Sequence, residues 1–249
     1  MHTIEAHFIA GEKQAVDPRA GFFEVRDSST EEVIARVAHG EARDAERAAD
    51  AAVLASVACA ELDVEARASA MERLSDLVLE HKDALAAGIA RVVGMPKKLA
   101  VPVQVEGPAR SIRRYAELLR ELPAEERIGN STVLLQPMGV VAAITPWNYP
   151  LNQIVHKVVP ALLSGSAVVL KPSELAPQAA ELLAELIGRL DLPRGAFNLV
   201  WGDGPTVGEA LVTHAEVTMV TFTGSTRAGR RVAELASQTI KRVALELGG

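Results

Sequence analysis

Cysteine is nearly absent from this chain: Cys59 is the only one. That excludes an intramolecular disulfide framework and any multi-cysteine zinc site, and it fits a reducing, cytoplasmic setting. Aromatic residues make up only 4%, too few for a platform on which bases stack. Positive charge is not in excess: 26 basic residues face 32 acidic ones, a net charge of −6. Nucleic acid and anionic membranes, which need a basic field, are therefore not expected partners. Long apolar runs are missing as well. The run from Gly139 closes at Ile144, far short of the ~20 residues of a membrane span. The first ten residues lack a basic start followed by an apolar stretch, so no targeting signal is read there. The expectation is a soluble cytoplasmic protein. What is present is an ordinary globular balance over 249 residues, with 49% hydrophobic and 23% charged. A chain of this length makes one large or two small domains and buries roughly 70–75% of its unfolded surface.

The pattern changes near residue 130. Before it, Phe8–Glu12 reads as a hairpin, and Phe22–Val25 and Val33–Val37 read as edge strands around the polar turn Asp27–Thr30. Glu41 to about Ala60 is alanine-rich and helical. In Val64–Val93 the residues Ala68, Met71, Leu74, Val78, Leu85, Ile89 and Val92 recur at three- and four-residue steps, one face of a single amphipathic helix. Gly94-Met95-Pro96 ends it. Lys97–Leu122 also reads as helical, but Pro102, Gly107 and Pro108 predict a kink or two pieces. Pro123–Asn130 is a polar break, which divides the chain into 1–130 and 131–249.

After a short strand at Val133–Leu135, apolar strands alternate with helices. The strands are Val140–Ile144, Ala167–Leu170, Phe197–Val200, Val217–Phe222 and Val243–Leu245. The helices are Leu151–Ser164, Pro177–Leu190, Pro205–His214 and Thr226–Gln238. Near-continuous apolar strands joined by helices argue for an α/β fold: a Rossmann-like parallel sheet with helices on both faces.

Three turns at the ends of these strands carry candidate chemistry. Gly202–Gly208 has one residue too many for a dinucleotide fingerprint and reads as a strand-to-helix turn with Pro205 at the helix start. Phe222–Gly229 places Gly224 and Gly229 at the spacing of a triphosphate loop, but Arg230 and Arg231 stand where that loop needs Lys and a hydroxyl. A phosphate-transfer protein is therefore discounted. A Gly-Ser-Thr turn opening a helix still aims N–H groups at an anion such as a pyrophosphate; the alternative is an ordinary N-cap by Ser225 or Thr226. Leu170–Glu174 ends a strand where open α/β sheets bind ligands. Glu174 can accept from both hydroxyls of a ribose and would repel a 2′-phosphate; the alternative is a solvated strand end. The six histidines show no paired metal-ligand spacing, and His156 reads as a packing or surface residue, so no metal site is expected.

These turns occur in one order with Ile144-Thr145-Pro146-Trp147-Asn148-Tyr149-Pro150 and with Leu245-Glu246-Leu247-Gly248-Gly249. Together the segments resemble the aldehyde dehydrogenase superfamily, close to its betaine-aldehyde-type members. The resemblance runs over nearly the whole chain. It implies NAD as cofactor, with NADP as the second option, and a small aldehyde as substrate. It implies that Asn148 holds the oxyanion formed when a thiolate attacks the aldehyde. Glu246 is implied as the general base for the water that releases the acid, a task for which burial would tune a carboxyl. Lys171 and Glu174 match residues that hold the adenosine ribose, with Ser173 between them. Gly224 and Ser225 match the turn over the pyrophosphate, and Gly204 and Gly208 match the helix beside the adenine. Ile144, Trp147 and Phe222 match the cleft lining, and Gly229 and Leu247 join the cofactor-binding set.

The family's nucleophilic cysteine lies about thirty residues beyond the Glu-Leu-Gly-Gly segment, and this chain stops at Gly249. Cys59, in the alanine-rich helix, matches no catalytic motif and reads as a small buried hydrophobe. The expectation is the amino-terminal, cofactor-binding half of such an enzyme, inactive alone. It carries an apolar surface where the remainder would pack, and it forms a homo-oligomer. The competing readings are a dinucleotide-binding module without chemistry, or a subunit completed by another chain.

Overall fold

The computed structural model describes residues 1–248. The chain begins with strands β1 (His2–Ile4), β2 (Ala6–Ile9), β3 (Glu12–Ala15), β4 (Phe22–Arg26) and β5 (Val33–Ala38). β2 and β3 form the expected hairpin, turning at Ala10 and Gly11, both at positive φ. β1, which has no sequence signal of its own, pairs parallel with β5, and β5 pairs antiparallel with β4.

Helices follow: α1 (Ala42–Glu61), α2 (Val64–Glu80), α3 (Lys82–Val93) and the short α4 (Lys97–Leu99). A π-helical turn, Ala100–Glu106, then leads into α5 (Gly107–Glu121). The single helix expected over Val64–Val93 is broken at His81, whose backbone (φ −103°, ψ 15°) leaves the helix while its Nδ1 lies 2.8 Å from the Leu77 carbonyl oxygen. The kink expected around Pro102 and Gly107 takes the form of the π turn, since Pro102 has no N–H to continue an α ladder. Strands β6 (Glu125–Ile128) and β7 (Ser131–Leu134) form an exposed hairpin where a polar break and one short strand were expected. Leu122, Ile128, Leu134 and Leu135 stand in solvent along it.

The remaining elements alternate. They are β8 (Val140–Ile144), α6 (Pro150–Leu163), β9 (Ala167–Lys171), α7 (Gln178–Ile187), β10 (Phe197–Leu199), α8 (Glu209–Thr213), β11 (Val217–Gly224), α9 (Thr226–Ser237) and β12 (Arg242–Leu247). The helix expected over Pro205–His214 starts as a π turn, Gly204–Gly208, so α8 itself is short. The large sheet runs β12-β11-β8-β9-β10-β2-β3. Every neighbouring pair from β12 to β10 is parallel; β2 joins β10 antiparallel. The expected parallel Rossmann-like core is present, extended on one flank by the N-terminal hairpin. β8 and β9 are buried at every residue, as strands covered on both faces must be. α1, α8 and α9 pack on one face of the sheet, and α6 and α7 on the other with α2 and α5 behind them. Alanines 45, 48, 49, 52 and 55 line the buried side of α1, which lets that helix sit close to β9.

Strand order places the site. After β8 the chain steps outward to β9 and β10, then returns to the opposite side of β8 for β11 and β12. The order reverses between β8 and β11, and in open α/β sheets the crevice at the carboxyl ends beside that reversal binds ligands.

Candidate functional site

Register brings the predicted residues into one row. Ile144 at the end of β8 pairs with Lys171 on β9 and with Phe222 on β11, and Phe222 pairs with Leu245 on β12. Four segments far apart in sequence therefore meet at one level of the sheet, where β8 and β9 end and β11 and β12 run on two residues further. Two cavities open there.

The first, about 440 Å³, lies between α8 and α9 and is lined by Ile144, Gly204, Gly208, Val212, Phe222, Val232 and Leu235, with Arg227, Glu209 and Arg231 at its polar side. It is largely apolar. Asp203 caps the turn into it by accepting the Thr206 N–H at 2.6 Å. A Cβ on Gly208 would touch the side chains of Ile144 and Lys171 at 4.0 Å, so this glycine sits directly against both. Arg231 forms an ion pair with Glu209 at 2.7 Å, joining α9 to α8.

The second cavity, about 450 Å³, is lined by Trp147, Asn148, Gln153, Thr223, Gly224, Ser225, Glu246 and Leu247. Ser225 is the N-cap of α9, accepting the Ala228 N–H at 3.2 Å. Gly224 is the last residue of β11, and a Cβ there would lie 2.5 Å from the Phe222 ring, so the missing side chain is what leaves room for that ring. The Thr223 hydroxyl is buried without a partner among the described residues. Asn148 orients its own amide: its Oδ1 accepts the Tyr149 N–H at 3.0 Å, which leaves Nδ2 as the free donor end.

Lys171 is buried, and its Nζ donates to the Pro172 carbonyl at 2.9 Å and to Glu174 Oε2 at 3.2 Å. The strand end is therefore not solvated at Lys171, and Glu174 is held by a cation with its other oxygen free to accept. The Ser173 hydroxyl oxygen accepts the Leu175 N–H at 3.3 Å and serves the local turn. Gly229 is not in the crevice. It is buried under β12, where a Cβ would collide with the Leu247 side chain, so its smallness serves helix-to-strand packing. Glu246 departs from expectation in one respect: it is exposed, not buried.

Sequence reasoning passed over Lys157 and Gln153. Both line a third cavity of about 620 Å³ that also contains His156, Thr221, Ala244 and Glu246. Gln153 and Glu246 border both this cavity and the Asn148 cavity. Lys157 is buried on α6; burial pushes its ammonium pKa down, and the Glu246 charge opposes that shift. A lone lysine amid the apolar residues of that helix was the available signal. His156 is exposed, with its Nδ1 2.6 Å from the Tyr115 hydroxyl and its ring edge-on to the tyrosine. Partial shielding of its ring from water, then the charge of the neighbouring Lys157, lowers the His156 pKa. Cys59 is buried in α1, and burial pushes its thiol up to about 11.

Comparison with known proteins agrees with this geometry. A model of the aldehyde dehydrogenase family matches residues 15–249. The chain is 42% identical over 227 residues to a 3-succinoylsemialdehyde-pyridine dehydrogenase of a Pseudomonas species, covering 91% of this chain and 48% of that protein. It is 40% identical to the mitochondrial succinate-semialdehyde dehydrogenase of Arabidopsis thaliana, over 90% of this chain and 43% of that protein. Among solved structures it resembles a mutant of aldehyde dehydrogenase C from Pseudomonas syringae in complex with NAD+ and octanal, with a TM-score of 0.96, 40% identity, and coverage of 100% of this chain and 52% of that one. The chain spans about half the length of the curated relatives it matches. With its strand order, its crevice and these likenesses in agreement, the chain belongs to the aldehyde dehydrogenase family.

Proposed function

We propose that this chain is the NAD(P)-binding half of an enzyme that oxidises an aldehyde to a carboxylic acid. The observation that carries the reading is the pairing of two adjoining crevices at the strand-order reversal. One is an apolar slot between α8 and α9, and the other holds Asn148, Gly224, Ser225 and Glu246. A dinucleotide fits this arrangement. The slot between Ile144 and Val232 is large and apolar enough for an adenine, and Gly208 lets the ring lie close. The Glu174 carboxylate has a free oxygen for the ribose, which favours NAD over NADP. The start of α9, capped by Ser225 just after β11 ends at Gly224, presents N–H groups to a pyrophosphate. In this reading residues 1–130 are the hairpin and helical part of the cofactor-binding domain, and 131–249 its core.

When bound, the dinucleotide supplies the hydride acceptor. Asn148 Nδ2 donates to the aldehyde oxygen as negative charge develops on it; such a donor typically contributes about 2.7–4 kcal/mol of transition-state stabilisation. Glu246 accepts a proton from the water that releases the acid. Cys59, buried and with a raised pKa, is not the attacking thiolate, since the thiolate is the reactive form. The isolated chain therefore binds cofactor but does not turn aldehyde over. The same observation favours a second reading: a dinucleotide-binding module, or a subunit completed by another chain. The exposed apolar residues of the β6–β7 hairpin support assembly into a homo-oligomer.

Titration with NADH, followed by nicotinamide fluorescence, tests the binding. A saturable change is expected, and none at millimolar cofactor would remove the basis for the proposal. Thiol-dependent NADH production from an aldehyde by the pure chain would overturn the assignment of inactivity. Light scattering that shows only monomer at high concentration would overturn the oligomer.

A further inference from the structure

Asn148 sits in the short connection between β8 and α6, outside any helical or sheet ladder. Its carbonyl oxygen would have no partner in that connection, because the ladder of α6 begins with the Tyr149 carbonyl, which accepts the Gln153 N–H at 2.9 Å. The partner comes from a distant element. Gln104, in the π-helical turn Ala100–Glu106, is completely buried, and its Nε2–H donates to the Asn148 carbonyl at 3.3 Å. The other end of the same side chain, Oε1, has no partner among the described residues. A buried amide with one end unsatisfied is an unfavourable choice for packing alone, where an apolar residue of similar size would serve. The π turn matters to the placement: adding a residue per turn re-aims the side chains of a helix, and such turns concentrate at functional sites.

We propose that Gln104 is a positioning residue for Asn148. By holding the carbonyl of Asn148 it fixes the backbone from which the Asn148 side chain turns back onto the Tyr149 N–H, and so fixes the direction of the free Nδ2–H. This rests on the reading of Asn148 as the donor to the aldehyde oxygen. The donor end of Gln104 is the functional end. A protonated carboxyl at position 104 could still donate to the carbonyl, and an ionised carboxylate would repel it.

Hydrogen exchange of the Tyr149 backbone amide reads this geometry in the chain as it exists. Replacing Gln104→Met should lower the Tyr149 protection factor roughly tenfold at every pH, the loss expected of one local hydrogen bond. Gln104→Glu should match the parent chain at low pH and match Gln104→Met once its carboxyl ionises. The amides of Val141 and Ala142 in β8 should keep their protection in both variants, and NADH affinity should stay within about twofold. Three results would overturn the proposal: Tyr149 protection unchanged in Gln104→Met, no pH dependence in Gln104→Glu, or an equal loss at Val141 and Ala142, which marks a purely structural role. Failure of the parent chain to bind NADH would instead count against the cofactor reading and leave the contact measurable.

Discussion

The two flanks of the large sheet are finished differently. On the β10 side the N-terminal hairpin closes the edge. His7 on β2 is fully buried, accepts the Trp201 N–H at Nδ1 over 3.1 Å, and places Nε2 3.3 Å from Asp44 at the start of α1. Trp201 in turn donates its ring N–H to the Ala6 carbonyl at 3.0 Å. On the other side β12 ends the sheet, with Glu246 and Leu247 exposed, and every residue assigned to aldehyde chemistry lies toward that flank. The sealed flank is held by side chains that reach across nearly the whole length of the chain. The open flank carries the two cavities at the strand ends, bordered by glycines and by the start of α9. A fold can thus use polar side chains to close one edge while glycines and helix starts border an open crevice at the other.

The largest effect is expected on the open flank. Gly224→Val would drive its Cβ into the Phe222 ring and tilt that ring into the apolar slot. Overpacking of this kind costs about 1–3 kcal/mol, so NADH affinity in a fluorescence titration should fall about ten- to hundredfold. Unchanged affinity would break the claim that the end of β11 shapes the crevice.

The sealed flank should respond to pH. Burial lowers the His7 pKa below its ordinary value of 6.5, against the opposing pull of Asp44. The unfolded chain then binds a proton more readily than the folded one. The stability His7 contributes is complete above about pH 6.5 and is lost as pH falls below it, by at most about 1.4 kcal/mol per pH unit. His156 is lowered in the same direction, so the comparison is between the parent, His7→Gln and His156→Asn in urea denaturation across this range. His7→Gln should flatten the slope more than His156→Asn, because His7 is fully buried and His156 is exposed. The reverse order would show that the hairpin edge is not the pH-sensitive one.

Smaller effects come from charges at the centre and rim of the crevice. Glu174→Gln removes the charge that would repel a 2′-phosphate and should raise NADPH affinity relative to NADH several-fold, worth about 1 kcal/mol; competitive titration of the two cofactors measures it. Arg231→Ala breaks the exposed α8–α9 ion pair with Glu209 and should change stability by less than about 1 kcal/mol in thermal melts. A larger loss would show that the two helices around the slot are clamped by charge and not by the apolar lining.

Much of the core could be read ahead of the structure because its signals are local. β8, β9 and β11 are apolar runs that register against one another near where the runs end, and Gly94 stops α3 in the left-handed conformation that glycine tolerates. The break at His81 carried no such signal, since neither glycine nor proline stands there and the apolar periodicity runs through it. β1 was invisible for a different reason: three residues make a strand only when a partner, here β5 some thirty positions away, supplies the ladder. In the site, the motif residues Asn148, Gly224 and Glu246 could be named in advance. Lys157 facing Glu246 and Gln104 under Asn148 could not, because each pairing joins elements that the fold alone brings together.

Local chemistry was enough to specify the strand-and-helix alternation, the turns with their glycines and caps, and the family segments at their ends. All of these depend on backbone preferences and spacings within a few residues, and those do not need a folded partner. Folding settled which ends of those segments share a register row, that Gly229 supports β12 instead of the crevice, that Glu246 stands exposed, and that the N-terminal hairpin seals one edge. These are consequences of long-range packing, where the burial of one side chain depends on which distant segment covers it.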